Sequence, residues 1–401
     1  MVVLAGLGLG ACLSVHTKPQ LCEPPGAKLE HPQAGPAVLH PLDAPPERLD
    51  DGWPVSTIRA EGLNPDTMSN MVRAVDAGEF TKVDSILIAR NGKLVLEAYF
   101  NGFGRETKHN IKSSFKSITS ALLGIAIDKG LITDVNQPVS GFFPDYWPDI
   151  EDDRDTKSRI TLGHLLTMTA GFDQQPGLDG AEDWYAFSLN QPMAAEPGAR
   201  YAYSDANPTL IGGAIEHAAG RALPVFAKQH LFDPLGITDY CWTLTPKGRV
   251  MTDGSFYMRP RDMLTIGQVY LNGGVWRGRR VISEAWVSES TSYYMEFARL
   301  AAERWETRSL KSDAASKRPY PSWSMLNRRG YGYYWWNVGA PPGGDTRFDA
   351  YYANGDGGQK IVNFPNLNMV VVFTGSHYGE AVGAEQPWRL LHGYILPAVL
   401  D

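Results

Sequence analysis

Apolar residues recur along this chain at two spacings. Between Leu63 and Ala77, Met68, Met71, Val72 and Val75 fall on one side of a helix that Asn64 or Asp66 can cap. The runs Ser85–Arg90 and Lys93–Phe100 read as strands, and Asn91-Gly92 between them predicts a hairpin. From Ser113 the period turns helical: Phe115, Ile118, Leu122 and Ile125 align, and Gly130 marks a stop. Residues 131 to about 290 read as mostly helical, with segments Thr161–Thr169, Asn207–Ala219, Leu223–Phe232 and Pro260–Asn272 punctuated by Gly and Pro. The charged, aperiodic stretch Arg299–Arg329 reads as a long surface insertion. Strand signals return at Tyr331–Val338, Phe348–Ala353, Gln359–Phe364 and Met369–Thr374, with Asn366-Leu367-Asn368 as a turn, and Gln386–Leu400 closes the chain as a helix.

Strands at both ends around a helical middle predict an α/β (α+β) domain, with one sheet built from the two termini, helices flanking it and a large helical insertion. The expected catalytic domain runs from residue 51 to 401, its sheet part about 51–112 and 330–401 and its helical part about 113–329. The natural site is a cleft between the two layers.

Composition narrows the function. With 401 residues, 43% of them hydrophobic, the chain can bury a large core. The formal charge of −7 and the lack of a Lys/Arg-rich run leave no electrostatic footprint for nucleic acid. Cys12, Cys22 and Cys241 are too few and too scattered for a zinc site and do not form a disulfide framework. Residues 2 to 13 form an apolar run ending in Leu9-Gly10-Ala11-Cys12, which resembles a bacterial lipoprotein processing site with a lipid anchor at Cys12, although no Lys or Arg precedes it. Export to the periplasm or a membrane anchor is therefore expected, and a cytoplasmic protein if the segment is not a signal. The Pro- and Gly-rich stretch His16–Asp51 reads as an extended tether.

Three stretches carry candidate chemistry. Ser113 and Lys116 lie three apart at the start of an apolar helix, hence on one face, beside free backbone N–H groups. A lysine so placed is a candidate base for the serine, and burial at the helix N-terminus is expected to depress its pKa from the ordinary ~10.4. The second stretch, Tyr201-Ala202-Tyr203-Ser204-Asp205-Ala206-Asn207, puts a tyrosine in a polar turn, where it can relay a proton. The third, Ala353-Asn354-Gly355-Asp356-Gly357-Gly358-Gln359, puts glycines at a strand edge, where substrate can approach and N–H groups stay free for an oxyanion. No Gly-x-Ser-x-Gly, His-Glu-x-x-His, Walker A or Gly-x-Gly-x-x-Gly occurs. The nine histidines are scattered, and His164 and His217 read as structural. Trp184-Tyr185 and Tyr333-Tyr334-Trp335-Trp336 read mainly as core or sheet packing.

In this order the three stretches resemble the serine β-lactamase-like superfamily, in the branch of class C β-lactamases, DD-peptidases, family VIII carboxylesterases and nylon-oligomer hydrolases. The resemblance covers roughly Asp51 to Leu400 and extends to Asp51-Gly52-Trp53-Pro54-Val55, Ile160–Gly171, Met258-Arg259-Pro260-Arg261-Asp262-Met263 and Leu271–Trp276. It implies the β-lactamase/transpeptidase-like fold with an antiparallel sheet, Ser113 as nucleophile, Lys116 as its partner, Tyr203 as the tyrosine of a Tyr-x-Asn motif, and an oxyanion hole at the backbone N–H groups of Ser113 and Asp356. Two positions depart from the pattern. Asp205 stands where many members have Asn, with Asn207 nearby to take over some of its polar work. Ala353-Asn354-Gly355 stands where Lys-Thr-Gly or His-x-Gly is usual, so the cation that attracts a substrate carboxylate is missing. The Asp356 side chain must then point away from the developing oxyanion. These features predict a serine hydrolase that cleaves a small ester or amide without cofactor or metal. A β-lactamase or DD-peptidase and a catalytically silent binding protein of the same fold are the alternatives.

Overall fold

The computed structural model of the chain describes residues 20–22, 38–39, 42–296, 328–339 and 345–400. Among these, nine strands form one antiparallel sheet: β1 (Val38–Leu39), β2 (Val83–Arg90), β3 (Lys93–Tyr99), β4 (Met295–Glu296), β5 (Arg328–Tyr331), β6 (Trp336–Val338), β7 (Ala350–Gly355), β8 (Gln359–Phe364) and β9 (Met369–Gly375). Their order is β1-β3-β2-β9-β8-β7-β6-β5-β4, so the N-terminal hairpin and the C-terminal meander meet where β2 pairs with β9. Asn91 and Gly92 both have positive φ, 53° and 72°, as a two-residue type I′ hairpin turn requires.

Both faces of the sheet are buried, and side-chain alternation divides them. Leu87, Ala89, Val370 and Val372 face the helical side, while Ile86, Ile88, Val371 and Phe373 face α1 (Pro65–Asp76) and the C-terminal helix. Asn64 caps α1 by accepting from the N–H groups of Asp66 and Thr67. On the helical side lie α2 (Phe115–Asp128), α3 (Leu162–Leu166), α4 (Ala206–Ala219), α5 (Leu223–Ala227) and α6 (Pro260–Leu271). α6 lies directly on the central strands. A Cβ at Gly267 would fall 2.5 Å from Val370 Cγ1, so only glycine permits that approach. α7 (Ala381–Leu390) begins five residues before the predicted helix, with Pro387 inside it, and runs on as a wider turn through Ile395.

Two expectations need correction. Cys22 and Cys241, 219 residues apart, form a disulfide. The pairing was hidden because it depends on Leu21 lying beside Trp242, where Cys22 N–H donates to Trp242 O at 3.0 Å. The stretch His16–Asp51 is also not a free tether where it is described: this disulfide, the pairing of β1 with Tyr99 and Ala98, and Glu47 O, which accepts from Arg261, fasten it to the body. The proposed insertion Arg299–Arg329 lies outside the described residues except for its last two, which open β5.

The segments Asp51–Val55 and Met258–Met263, far apart in sequence, meet at a buried ionic cluster. Arg261 makes a two-pronged contact with Glu97 at 2.7 and 2.8 Å and reaches Asp51 at 2.6 Å, while Arg105 meets Glu97 at 2.6 Å. The cluster fastens the start of α6 to β3, and Trp53 Nε1 donates to Thr265 Oγ1 beside it at 3.0 Å.

Candidate active site

A single turn of 3₁₀ helix, Lys112–Ser114, leads into α2, and Lys112 holds a left-handed φ of 50°. A lysine keeps that conformation only where its surroundings impose it. Here Asn110 Oδ1 accepts the Lys112 N–H at 3.0 Å, and the Lys112 ammonium lies 5.3 Å from the Tyr378 ring centre. The turn presents Ser113, half-buried, beside the first turn of α2. Lys116 Nζ donates to Ser113 Oγ at 2.9 Å, so the helical spacing does bring the two together. Lys116 itself is fully enclosed, at 1% exposure.

Three further groups surround that amine. Asp205, at the start of α4, places Oδ1 2.8 Å from Nζ. The Asp253 carbonyl accepts a hydrogen bond from it. The Tyr203 ring centre lies 5.2 Å away, and Trp336 stacks on that ring at 6.1 Å. Burial works to lower the lysine's proton affinity, but the negative charge available at Tyr203, Asp205 and Asp253 outweighs it and holds Lys116 well above the ordinary lysine range. This overturns the expectation of a depressed lysine. Helix position predicts the desolvation, whereas the carboxylates arrive from elsewhere in the chain.

The glycine-rich stretch closes the other side. Gly355 ends β7 against the turn that carries Ser113: a Cβ there would fall 2.2 Å from Ile111 O and 3.0 Å from Ser114 Oγ. Ser114 Oγ donates across to Gln359 O at 3.2 Å, joining the turn to β8. The Asp356 side chain accepts the Gly379 N–H at 2.7 Å. Ala353 is buried on the α2 side of the sheet and brings no charge, while Lys360 donates to Asn354 on the opposite side. Asn207 is not brought to the amine. Its Nδ2 contacts Met168 Sδ at 3.0 Å inside the helical core, two residues beyond Asp205, which takes the lysine contact.

The other sequence candidates are structural. His164 Nδ1 accepts the Thr161 N–H at 3.2 Å in a capping box at the start of α3. Trp184, Tyr185, Tyr333, Tyr334 and Trp335 are buried in the core, and Trp336 stacks on Tyr203. Motif reading missed Asp253 and Lys112. Thr252-Asp253-Gly254-Ser255 has no pattern that marks it, and Lys112 is conspicuous only through its φ. A separate open cavity of about 590 Å³, lined by Phe142, Tyr146, Tyr185, His217 and Arg249, lies toward the other end of α4 from Asp205.

With this geometry established, the sequence places the chain in a family. The Beta-lactamase family model matches residues 71–393. The chain belongs to the beta-lactamase family. Among relatives, it is 26% identical over 226 residues to a 6-aminohexanoate-dimer hydrolase of Paenarthrobacter ureafaciens, covering 52% of this chain and 57% of that one. It is 28% identical over 194 residues to a monacolin J acid methylbutanoyltransferase of Aspergillus terreus, covering 38% and 46%. The chain thus spans about half the length of the curated relatives it matches. Among solved structures, a family VIII carboxylesterase superposes with a TM-score of 0.61 at 16% identity, over 82% of this chain and 96% of that one, and so shares the fold. The β-lactamase/transpeptidase-like fold that the resemblance implied is the fold observed.

Proposed function

We propose that the chain is a serine hydrolase that cleaves a small ester or amide through an acyl-enzyme on Ser113. The observation that carries this reading is the 2.9 Å contact between Ser113 Oγ and an enclosed Lys116 amine at a helix entrance. Ser113 attacks the carbonyl carbon, and its proton passes to Lys116 as the amine releases one of its own toward Asp205 Oδ1, 2.8 Å away. This relay suits a lysine held as an ammonium, since its charge is the same before and after. Tyr203, whose ring centre is 5.2 Å from the amine, gives its phenolic proton to the leaving group and is reprotonated by Lys116, which recovers the proton held at Asp205. The oxyanion is met by the N–H groups of Ser113 and Asp356, and water then releases the acid.

The relatives are named a 6-aminohexanoate-dimer hydrolase and a methylbutanoyltransferase, and both hydrolysis and acyl transfer can pass through an acyl-enzyme on such a serine. With alanine at 353, β-lactams and other substrates read through a carboxylate are poor candidates. Export is part of the same proposal, and the Cys22–Cys241 disulfide supports it because such bonds persist in oxidising compartments. Cys12, the proposed lipid site, lies outside the described residues.

A fluorophosphonate should label Ser113 in the wild type and fail to label Ser113→Ala, which should keep the wild-type Tm. A panel of short acyl esters, linear amides and a chromogenic cephalosporin should show ester or amide turnover. Absence of label would point to a silent binding protein, and faster turnover of the cephalosporin would point to a β-lactamase.

A further inference from the structure

The loop Thr252–Ser255 forms a built wall of the site. Thr252 Oγ1 donates to Pro208 O in the first turn of α4 at 2.8 Å, and Thr119 Oγ1 of α2 donates to Thr252 O at 2.9 Å. Gly254 presses on the nucleophile turn, where a Cβ would come 3.2 Å from the Lys112 carbonyl carbon. Asp253 is thereby held on two sides, with its carbonyl on the Lys116 amine.

Its carboxylate is the unusual part. Asp253 Oδ1 is fully buried and has no hydrogen-bond partner in the protein. Buried polar atoms are ordinarily paired, and leaving a charged one unpaired is costly. The charged groups that act on it are Lys116 from α2, Asp205 from the start of α4 and, further off, Asp179 from the turn Leu178–Gly180. One ammonium is thus in contact with the Asp205 carboxylate and under the influence of a second, that of Asp253. The site carries an excess negative charge when both are ionised and is balanced when Asp253 is protonated.

We propose that Asp253 is a specificity-determining residue which, as a carboxylate beside Lys116 and Asp205, excludes acyl groups bearing a negative charge and, when protonated, admits them. This rests on the serine-hydrolase reading and adds a substrate class to it: neutral acyl groups. It also gives a second physical reason, besides Ala353, for poor use of carboxylate-bearing substrates. The titration falls in an accessible range. Burial raises the Asp253 carboxyl, Lys116 opposes that and Asp205 adds to it, leaving it at about 6.

The test compares two p-nitrophenyl esters of equal size on the full chain, one with a permanently charged sulfonate on the acyl chain and one with a neutral methyl sulfone. In the wild type, the ratio of kcat/KM for neutral over anionic ester should rise about tenfold between pH 5 and pH 7.5, the order expected for one nearby, partly screened charge. In Asp253→Asn the ratio should be flat and low throughout, and Asp253→Glu should restore the pH course. A flat ratio in the wild type overturns the proposal without any variant, as does the same pH course in wild type and Asp253→Asn. Failure of the wild type to take a fluorophosphonate on Ser113 would instead overturn the serine-hydrolase reading.

Discussion

Arg261 and Lys116 are both buried cations paired with carboxylates, yet their surroundings differ. Arg261 spends Nε, Nη1 and Nη2 on Glu97, Asp51 and Glu47 O, and a second cation, Arg105, bridges Glu97 and the Glu47 carboxylate. Glu97 is pushed up by burial, but its bonds to Arg261 and Arg105 overcome that and hold it below the usual carboxylate range. Lys116 instead touches the Ser113 hydroxyl, and one of the carboxylates around it, Asp253, keeps a buried oxygen unpaired. In the first cluster every guanidinium nitrogen of Arg261 is already engaged by a protein acceptor, which leaves none of them for a substrate. The second keeps a buried carboxylate oxygen without a hydrogen bond and borders the Ser113 hydroxyl. Ion pairing by itself therefore does not mark a functional site. What separates the two is whether the hydrogen-bonding capacity has been used up.

This contrast can be broken experimentally. The largest effect is expected from Lys116→Met, which should cut ester turnover roughly 10²–10⁴-fold, the span of general acid–base catalysis. Circular dichroism should show an intact fold; turnover within a few-fold of wild type would place Lys116 with Arg261 among the structural cations. Next, Arg261→Ala should cost about 3–5 kcal/mol of stability, because it strands the buried Glu97 carboxylate. It should leave fluorophosphonate labelling of the folded fraction near wild type, and denaturant unfolding with labelling in parallel would check both.

The smallest effect concerns an intermediate case. Asp84 is buried and accepts from Ser376 and from Asn101 at 3.1 Å, but its nearest cationic candidate is His109 at 3.9 Å. Burial therefore wins over these hydrogen bonds and lifts its carboxyl from 3.8 to about 7. Since the folded state binds this proton more tightly than the unfolded chain, stability should fall as pH rises from about 4 to about 7 and level off above. Asp84→Asn should flatten that part of the Tm-against-pH curve. An unchanged slope would mean that Asp84 is compensated as fully as Glu97.

Much of this organisation was legible because it is local. The Asn91-Gly92 turn depends on two residues that tolerate positive φ, and the Ser113–Lys116 pair on one helical turn. Asn64 and the period of α1 follow from the same short-range rules. Reach along the chain set the limit: the α7 boundary shifted because packing against the sheet overrode a proline inside the helix.

The sequence by itself determined the strand and helix order, the hairpin, the pairing of Ser113 with Lys116 and the absence of a cation at 353. Each depends on residues within a few positions of one another, or simply on identity. Only the tertiary structure decided which charges surround Lys116, that Asn207 turns away from it, and that Cys22 meets Cys241. Asp205 and Asp253 reach that amine from positions 89 and 137 residues downstream of it, and no local pattern encodes their arrival. An electrostatic balance is a sum over neighbours in space, so the proton affinity of Lys116 could be read only once the fold had supplied them.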